Sequence, residues 1–144
     1  ITVPVGAISP EVAALLRTTQ EALAAGLRQV RAGAQVGDIG HAVQQIAEAA
    51  GYSVVRELVG HGIGSAFHEE PQVPNFGAPR KGARLVAGMT LAIEPMINRG
   101  YRDIRTLADK WTVVTVDGSL SAHFEHTVVV TADGGRILTE RPAK

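Results

Sequence analysis

Apolar residues recur at helical spacing near the start of the chain. The segment Ser9-Pro10-Glu11 has the composition of a helix start, with Ser at the cap, Pro at the first helical position and a carboxylate in the first turn. We therefore predict a helix that runs to about Arg31, has basic residues in its last turns and is followed by Gly33. Its apolar positions are Val12, Leu15, Leu16, Leu23, Leu27 and Val30.

A second helix is predicted from about Asp38 to Ala50, with Gly51 at its end. The segment Tyr52-Ser53-Val54-Val55 then has the composition of a short strand. From Leu58 to Ala87 the sequence is rich in Gly and Pro and shows little periodicity, which predicts a long loop. Loops of this length inside a compact domain are usually functional or disordered.

Runs of β-forming residues separated by short polar turns occupy the rest of the chain. The order of elements, helices first and then an antiparallel meander, predicts an α+β fold with two helices packed on an antiparallel sheet. We expect residues 1–144 to form a single domain. The predicted strands cover residues 89–97, 101–107, 111–116, 122–131 and 136–138.

Composition and charge narrow the class of protein. Hydrophobic residues make up 45% of the 144 residues and charged residues 19%, which is ordinary for a globular domain. Fourteen basic residues balance fourteen acidic ones, so no strong field attracts nucleic acid or an anionic membrane. The absence of cysteine excludes disulfides and thiolate metal sites. Because no apolar run is long enough to cross a bilayer, and no signal-peptide pattern opens the sequence, we expect a cytoplasmic protein that binds neither nucleic acid nor membranes.

The segment from Gly60 to Pro71 contains two histidines, His61 and His68, together with three glycines and two adjacent carboxylates. Glycine lets a backbone approach a ligand closely, and a neutral histidine nitrogen can bind a metal or relay a proton. The alternative interpretation is a polar turn with two half-exposed histidines that have no chemical role.

Two glutamates lie in apolar surroundings further along the chain. Glu94 precedes Pro95 in an otherwise apolar run, and this proline favours an extended backbone at a strand edge or strand end. Glu125 precedes an apolar strand and shares a strand face with positions 123, 127 and 129. Burial of a carboxylate is costly unless the group is paired or binds a cation.

These carboxylates have two interpretations. Each could be a structural residue in a salt bridge, with Arg17, Arg56 or Arg105 as its partner. Alternatively, both join a histidine of the Gly-rich segment in a metal site, because imidazole and carboxylate ligands without thiolate suit Mn, Fe, Co or Zn. A carboxylate can bridge two metals, and paired metals activate water for hydrolysis. Two such carboxylates together with a histidine favour the metal site.

Several separated motifs of this chain resemble those of type I methionine aminopeptidases, which are metallopeptidases of the pita-bread fold. They agree with that family in order and spacing, and the resemblance extends over nearly the whole chain. It implies the C-terminal half of a pita-bread (creatinase/aminopeptidase-like) domain. The matching runs are Gly60-His61-Gly62-Ile63-Gly64 with Phe67-His68-Glu69-Glu70-Pro71-Gln72-Val73, Gly88-Met89-Thr90 with Ile93-Glu94-Pro95-Met96, Trp111-Thr112-Val113, and Ser121-Ala122 with Phe124-Glu125-His126-Thr127.

The resemblance implies metal-binding roles for three residues and a cofactor of two divalent ions, drawn from Co, Mn, Fe or Zn. His61 and Glu94 would bind the same ion, and Glu125 would bridge the two ions. Glu94 would also take the proton of the attacking water, so it is expected to be catalytic as well as a ligand.

Three further roles follow from the same resemblance. His68 would contact the scissile amide and stabilise the tetrahedral intermediate, which makes it both catalytic and substrate-binding. Phe67 and Trp111 would form walls of the pocket for the Met side chain. Without the resemblance, both aromatic residues would be assigned to core packing.

The ligand set of the family is not complete in this sequence. The family uses two further metal-binding aspartates on strands before the first helix, and by spacing the nearer one would fall just before Ile1. Two five- or six-coordinate cations need roughly ten ligand positions, and one His with two Glu fills about half of them. We therefore expect the domain to be incomplete at its N-terminus and the 144-residue chain alone to be inactive.

The predicted function is the metal-dependent removal of the initiator methionine from peptides or nascent proteins, with the missing N-terminal half as a further partner. An Xaa-Pro aminopeptidase or prolidase of the same fold is one alternative, although Glu94-Pro95-Met96 favours the methionine enzyme. A catalytically inactive pita-bread module that binds peptides or proteins is another. Such a module has no chemical need to retain His61, His68, Glu94 and Glu125 together.

Overall fold

The computed structural model describes residues 1–141, so residues 142–144 of the predicted domain lie outside the described range. Within that range the chain forms two helices, α1 (Pro10–Leu27) and α2 (Val36–Ala49), and ten strands. Neither helix in this range combines the length and the apolar character that a membrane span requires. The strands are β1 (Ser53–Val54), β2 (Gly60–Gly62), β3 (Glu69–Val73), β4 (Thr90–Ile93), β5 (Met96–Asn98), β6 (Ile104–Thr106), β7 (Val113–Thr115), β8 (Ser121–His123), β9 (His126–Val130) and β10 (Gly135–Ile137).

Helix α1 begins where the sequence predicts but ends earlier. The Ser9 hydroxyl accepts a hydrogen bond of 3.3 Å from a backbone N–H in the first turn, which is the geometry of an N-cap. The helix ends at Leu27: the N–H of Arg28 still bonds to the Ala24 carbonyl four residues back, but the N–H groups of Gln29 and Val30 bond to carbonyls three residues back and tighten the last turn. Arg28 and Arg31 therefore lie beyond the helix, and the prediction of basic residues in its last turns is wrong.

Helix α2 starts two residues before the predicted Asp38. The Asp38 carboxylate accepts a hydrogen bond of 2.8 Å from the backbone N–H of Gln35, so this residue caps the helix from within the first turn. That bond, with a second from the backbone N–H of Arg80, holds the pKa of Asp38 below its ordinary value of 3.8. The helix ends as predicted, with Gly51 at a φ of +80° just beyond it.

The described strands form two main antiparallel sheets and a separate ribbon. The larger sheet has the order β10-β9-β4-β2-β3, and the smaller sheet has the order β1-β5-β8. Strands β6 and β7 pair only with each other within the described residues. Helix α1 contacts β4, β5 and β8, and α2 contacts β1 and β3. The predicted α+β fold, with two helices packed on antiparallel sheet, is confirmed.

Two of the predicted strands are divided between the sheets. Residues 89–97 contain β4 of the larger sheet and β5 of the smaller sheet, with a break at Glu94-Pro95. Residues 122–131 contain β8 of the smaller sheet and β9 of the larger sheet, with a break at Phe124-Glu125. Proline has no N–H to continue a ladder of hydrogen bonds, which accounts for the first break. The chain thus crosses from one sheet to the other at both glutamates singled out from the sequence.

The prediction of a loop from 58 to 87 is wrong in part, because this segment contains β2 and β3. Strand β2 lies inside the larger sheet, between β3 and β4. Its sequence is Gly60-His61-Gly62, and two glycines leave no alternation of side chains that could indicate a strand.

The hydrophobic core lies between the helices and the sheets. Two side chains near the Glu94-Pro95 break are fully buried in this core. They are Ile93, the last residue of β4, and Ile97, which lies within β5. Val128 of β9 and Ile39 of α2 are equally inaccessible to solvent. Because the residues next to both breaks are packed in this way, the polar groups at the breaks are held in place by the core.

Candidate metal centre

His61 lies at the centre of β2, between two glycines. The strand pairs with β3 on one side and β4 on the other, and His61 lies opposite Ala92 of β4. A Cβ atom on Gly60 would collide with the carbonyl oxygen of Ala92, and one on Gly62 would collide with the carbonyl oxygen of Glu70. Glycine at both positions therefore permits the close approach of three strands, which fixes the backbone of His61.

The ring of His61 has one favoured tautomer. Its Nδ1 lies 2.9 Å from the carbonyl oxygen of Gly62. Because a carbonyl oxygen can only accept a hydrogen bond, Nδ1 carries the proton of the neutral ring and Nε2 presents a lone pair. This Nε2 lies 3.4 Å from Oε1 of Glu94, and the two side chains are only 12% and 15% exposed. Two electron-pair donors thus face each other in a largely buried position, where a cation would stabilise both.

Glu94 lies where the chain leaves β4 and enters β5, so its predicted location at a strand end beside Pro95 is confirmed. The side-chain amide of Asn75 donates a hydrogen bond of 3.2 Å to the backbone carbonyl of Glu94. Asn75 is fully buried. Its amide therefore satisfies a backbone group at a point where the hydrogen bonds of the β4 ladder have ended, and it holds the Glu94 backbone in place.

Glu125 lies at the corresponding break between β8 and β9. The residues that flank the two breaks are cross-strand neighbours: Ile93 lies opposite His126 in the larger sheet, and Met96 lies opposite His123 in the smaller sheet. The two breaks are therefore side by side. Antiparallel pairing, which the sequence predicts, brings together two carboxylates that are far apart along the chain.

A third residue, His123, belongs to this group, although it is not among the site residues expected from the sequence. One ligand atom each from Glu94, His123 and Glu125 lies within 4.8 Å of the others. The second oxygen of Glu94, Oε2, lies 3.4 Å from Nε2 of His123. The signal was available in the sequence, because position 123 shares the predicted strand face of Glu125.

The alternative of an arginine partner is wrong for Glu94. The basic side chains within 4 Å of its carboxylate among residues 1–141 are His61 and His123. Arg56, one of the candidate partners, instead places its guanidinium 4.8 Å from the centre of the Phe76 ring.

His68 and Phe67 lie next to His61. The ring centres of His61 and His68 are 4.2 Å apart, and Phe67 packs edge-on against His68 with 4.6 Å between ring centres. His68 and Phe67 are exposed, and Phe67 is 72% accessible to solvent. A surface cleft of about 420 Å³ has His61, His68 and Gln72 on its walls. A molecule in this cleft could therefore reach both histidines.

Trp111 is not part of this cluster of rings. It lies in the turn between β6 and β7, and it is 87% exposed. Its backbone N–H donates a hydrogen bond of 3.0 Å to the carboxylate of Asp109, which fixes the turn. Neither core packing nor contact with Phe67 is found for the Trp111 side chain in the described part of the chain.

The donor set fits a divalent metal. Two ligands that are each about 2.1 Å from one cation are separated by about 3.0–3.4 Å at octahedral or tetrahedral angles. The 3.4 Å between His61 Nε2 and Glu94 Oε1 agrees with this separation. Glu125 adds a second carboxylate within reach of Glu94. Imidazole and carboxylate groups of this kind suit Mn, Fe, Co and Zn.

Comparison with known proteins agrees with this geometry. The profile of metallopeptidase family M24 matches residues 1–132, so the chain belongs to that family of metal-dependent peptidases. Methionine aminopeptidase 1 of Bacillus subtilis is 54% identical over 138 residues, which make up 96% of this chain and 56% of the relative. The predicted resemblance to methionine aminopeptidases is confirmed.

Solved structures also show similarity to methionine aminopeptidases. A methionine aminopeptidase from Thermotoga maritima matches with a TM-score of 0.92 and 44% identity, over 95% of this chain and 55% of that one. An X-Pro aminopeptidase from the same organism matches with a TM-score of 0.72 and 23% identity, over 99% of this chain and 35% of that one, and shares the fold alone. The chain thus spans about half the length of the relatives that it matches.

Proposed function

We propose that this chain is part of a methionine aminopeptidase that removes the N-terminal methionine from peptides and newly made proteins. The observation that carries the proposal is the pair formed by His61 Nε2 and Glu94 Oε1, 3.4 Å apart, in a chain that is 54% identical to a methionine aminopeptidase over 96% of its length. The likeness to an X-Pro aminopeptidase is one of fold, so it gives no support to the proline-specific alternative.

We propose that His61, Glu94 and Glu125 hold a site for two divalent ions. The fixed tautomer of His61 and the closeness of the two carboxylates support these assignments. The three side chains fill about half of the positions that two ions require, so further ligands would come from residues outside this sequence. We expect two aspartates among them, and residues 1–144 would then be one part of a larger domain.

A bound divalent metal would supply Lewis acidity, which polarises a carbonyl group and lowers the pKa of water. The chain's own residues would supply the proton transfer and the positioning. Glu94, held at its backbone by Asn75, would take the proton of the attacking water. A carboxylate suits this role because it can accept a proton at one oxygen while the other faces His61.

His68 and the aromatic residues would bind the substrate. The ring of His68 is 4.2 Å from that of His61 and borders the cleft, so a peptide carbonyl in the cleft could accept a hydrogen bond from it. Phe67 packs against His68 and would form one wall of the pocket for the methionine side chain. Trp111 is exposed on its turn and would form another wall only once a further part of the protein or the substrate covers it.

The substrates would be peptides or nascent proteins that begin with methionine, and the compartment would be the cytoplasm. A net charge of zero gives no support to binding of nucleic acid.

The test is a comparison of two substrates with the full-length protein that contains this chain. The metal-free protein is reloaded with Co²⁺ and incubated with Met-Ala-Ser and, separately, with an Ala-Pro peptide. We expect cleavage of the first substrate only. Substitution Glu94→Gln, which keeps the shape of the side chain, should lower kcat by about 10²–10⁴-fold because the proton acceptor is lost.

The matched control is His126→Gln, because His126 contacts Thr139 rather than the carboxylate cluster. This variant should retain its activity. Cleavage of the Ala-Pro peptide alone would contradict the proposed specificity. Turnover by a purified chain of residues 1–144 would contradict the proposal that part of the site lies elsewhere.

A further inference from the structure

His123 is held in a fixed position at the edge of the smaller sheet. It is the last residue of β8, and it lies opposite Met96 of β5. Thr2 binds its backbone on both sides: the Thr2 hydroxyl donates to the His123 carbonyl at 3.0 Å and accepts from the His123 N–H at 2.9 Å. The next residue, Phe124, is buried in the core. The imidazole can therefore change its position only through its own side-chain torsions.

The Nε2 atom of His123 is buried and directed at Glu94. It lies 3.4 Å from Glu94 Oε2 and has no hydrogen-bond partner among the described residues. Elsewhere the ring borders an apolar pocket of about 210 Å³, whose walls include Val55, Met96 and Val114. A buried polar atom without a partner is rare in folded proteins and calls for an explanation. Within this site, Glu94 is the polar group that Nε2 faces.

The two oxygens of Glu94 have different neighbours. Oε1 faces the lone pair of His61 Nε2, and Oε2 faces His123. If Oε1 binds a metal together with His61, Oε2 remains in a side chain that is only 15% exposed. A buried carboxylate oxygen is stabilised by a hydrogen-bond donor, and Nε2 of His123 lies within reach as one.

We propose that His123 is a positioning residue for Glu94: its Nε2–H donates a hydrogen bond to Oε2 and directs Oε1 to the metal beside His61. Among residues 1–141 no carbonyl accepts a hydrogen bond from the His123 ring in the way that Gly62 does from His61, so Nε2 of His123 is free to carry the proton. A rotation of the ring that shortens 3.4 Å by a few tenths of an ångström gives an ordinary N–H···O bond. The inference rests on the proposed function in one respect, that Glu94 is a metal ligand.

The experiment measures metal binding without substrate. The full-length protein is freed of metal and titrated with Co²⁺, and the dissociation constant and the visible absorption of the bound ion are recorded. The variants are His123→Gln, whose amide N–H₂ reaches about as far as Nε2, and His123→Asn, whose amide is too short. His123→Leu keeps the bulk of the side chain but has no donor, and it is the second variant should the asparagine variant fail to fold.

We expect His123→Gln to bind Co²⁺ as tightly as the parent protein, with the same absorption spectrum. The asparagine and leucine variants should bind about 10–100-fold more weakly, which is the usual effect of losing a hydrogen bond to a metal-binding carboxylate. The control His126→Gln should bind like the parent protein, since this ring faces Thr139. If glutamine preserves Co²⁺ affinity but asparagine and leucine do not, His123 acts as a hydrogen-bond donor and not only through packing.

Two results would overturn the inference. Equal loss of affinity in the glutamine and leucine variants, with a changed Co²⁺ spectrum, would mean that His123 binds the metal directly. Parent-like affinity in the leucine variant would mean that His123 does not act on the site. Glu94→Gln provides the separate check on the proposed function: if that variant binds Co²⁺ as tightly as the parent, the assignment of Glu94 as a ligand fails first.

Discussion

Replacement of Gly60 by alanine tests whether the close packing of β2 positions the metal site. The added methyl group would collide with the backbone carbonyl of Ala92 in β4. It would also lie 3.2 Å from the carbonyl oxygen of Val73 in β3. Both neighbours are backbone atoms in paired strands, so no side chain can rotate away to make space. Strand β2 must shift, and His61 is the next residue along it.

The expected loss of stability in the Gly60→Ala variant follows from this steric conflict. Overpacking a well-packed interior costs about 1–3 kcal/mol, and we expect a value in the upper half of that range because the contacts involve two strands. The effect on catalysis should be larger than the effect on stability. A displacement of His61 of about 1 Å would separate it from Glu94, and misplacement on this scale lowers turnover by about 100-fold.

The assay combines urea unfolding with Co²⁺ titration and cleavage of Met-Ala-Ser by the full-length protein. Gly51→Ala is the matched control, because a Cβ atom there meets nothing within 4 Å while the φ of +80° disfavours alanine. The control should lose about 1–2 kcal/mol through backbone strain and keep its metal affinity and activity. If Gly60→Ala binds Co²⁺ and cleaves substrate like the control, the argument that glycine packing positions His61 is refuted.

Three further predictions follow from individual hydrogen bonds. Hydrogen bonds from the backbone N–H of Tyr101, and then from the hydroxyl and N–H of Ser119, lower the pKa of Asp117 from 3.8 to about 2. The ionised carboxylate therefore stabilises the fold above pH 4, and this contribution is lost as the pH falls toward 2. Asp117→Asn should flatten the dependence of the free energy of unfolding on pH over that window. Ser9→Ala removes the N-cap of α1 and should cost about 1 kcal/mol in urea unfolding. Asn75→Ala leaves the backbone carbonyl of Glu94 without its donor, which should cost about 1–3 kcal/mol and weaken Co²⁺ binding in the same titration.

Both helices were predictable because their signals are local. Ser9 and Pro10 mark the start of α1, and Gly51 marks the end of α2, through interactions within a few residues along the chain. The early end of α1 at Leu27 carries no comparable signal. Good helix formers continue to Arg28 and beyond, and the chain turns there so that Val30 can be buried in the core.

The division of the strands was not predictable from their apolar patterns. Residues 122–131 alternate as one strand would, and only the pairing of β9 with β4 and of β8 with β5 assigns its two parts to different sheets. Proline at position 95 signals an interruption but not a change of sheet. The sheet that a strand joins depends on its pairing with strands that are distant in the sequence, so the pattern of that strand alone cannot predict it.

The sequence predicted the chemistry of the candidate site, a metal centre of histidine and glutamate, but it did not identify every residue of the cluster. His61, Glu94 and Glu125 stood out because each is a potential ligand in an unusual setting. His123 did not, because it follows small residues at a strand end and looks like an ordinary polar side chain. Its relevance depends on the adjacent breaks in two strand pairs, which bring its Nε2 to 3.4 Å from Glu94.

The location of the two glutamates explains why a cation is favoured there. At both breaks the ladder of backbone hydrogen bonds stops, and there a carboxylate oxygen of Glu94 lies within 4.8 Å of one from Glu125. The Glu94 side chain is only 15% exposed and lies next to the fully buried Ile93, so an uncompensated charge on Glu94 is costly. Among residues 1–141 the basic side chains within 4 Å of the Glu94 carboxylate are His61 and His123, and no lysine or arginine is one of them. A divalent ion would bring two positive charges to these carboxylates and would also accept the lone pair that His61 Nε2 presents, so it would stabilise this arrangement more effectively than a histidine does.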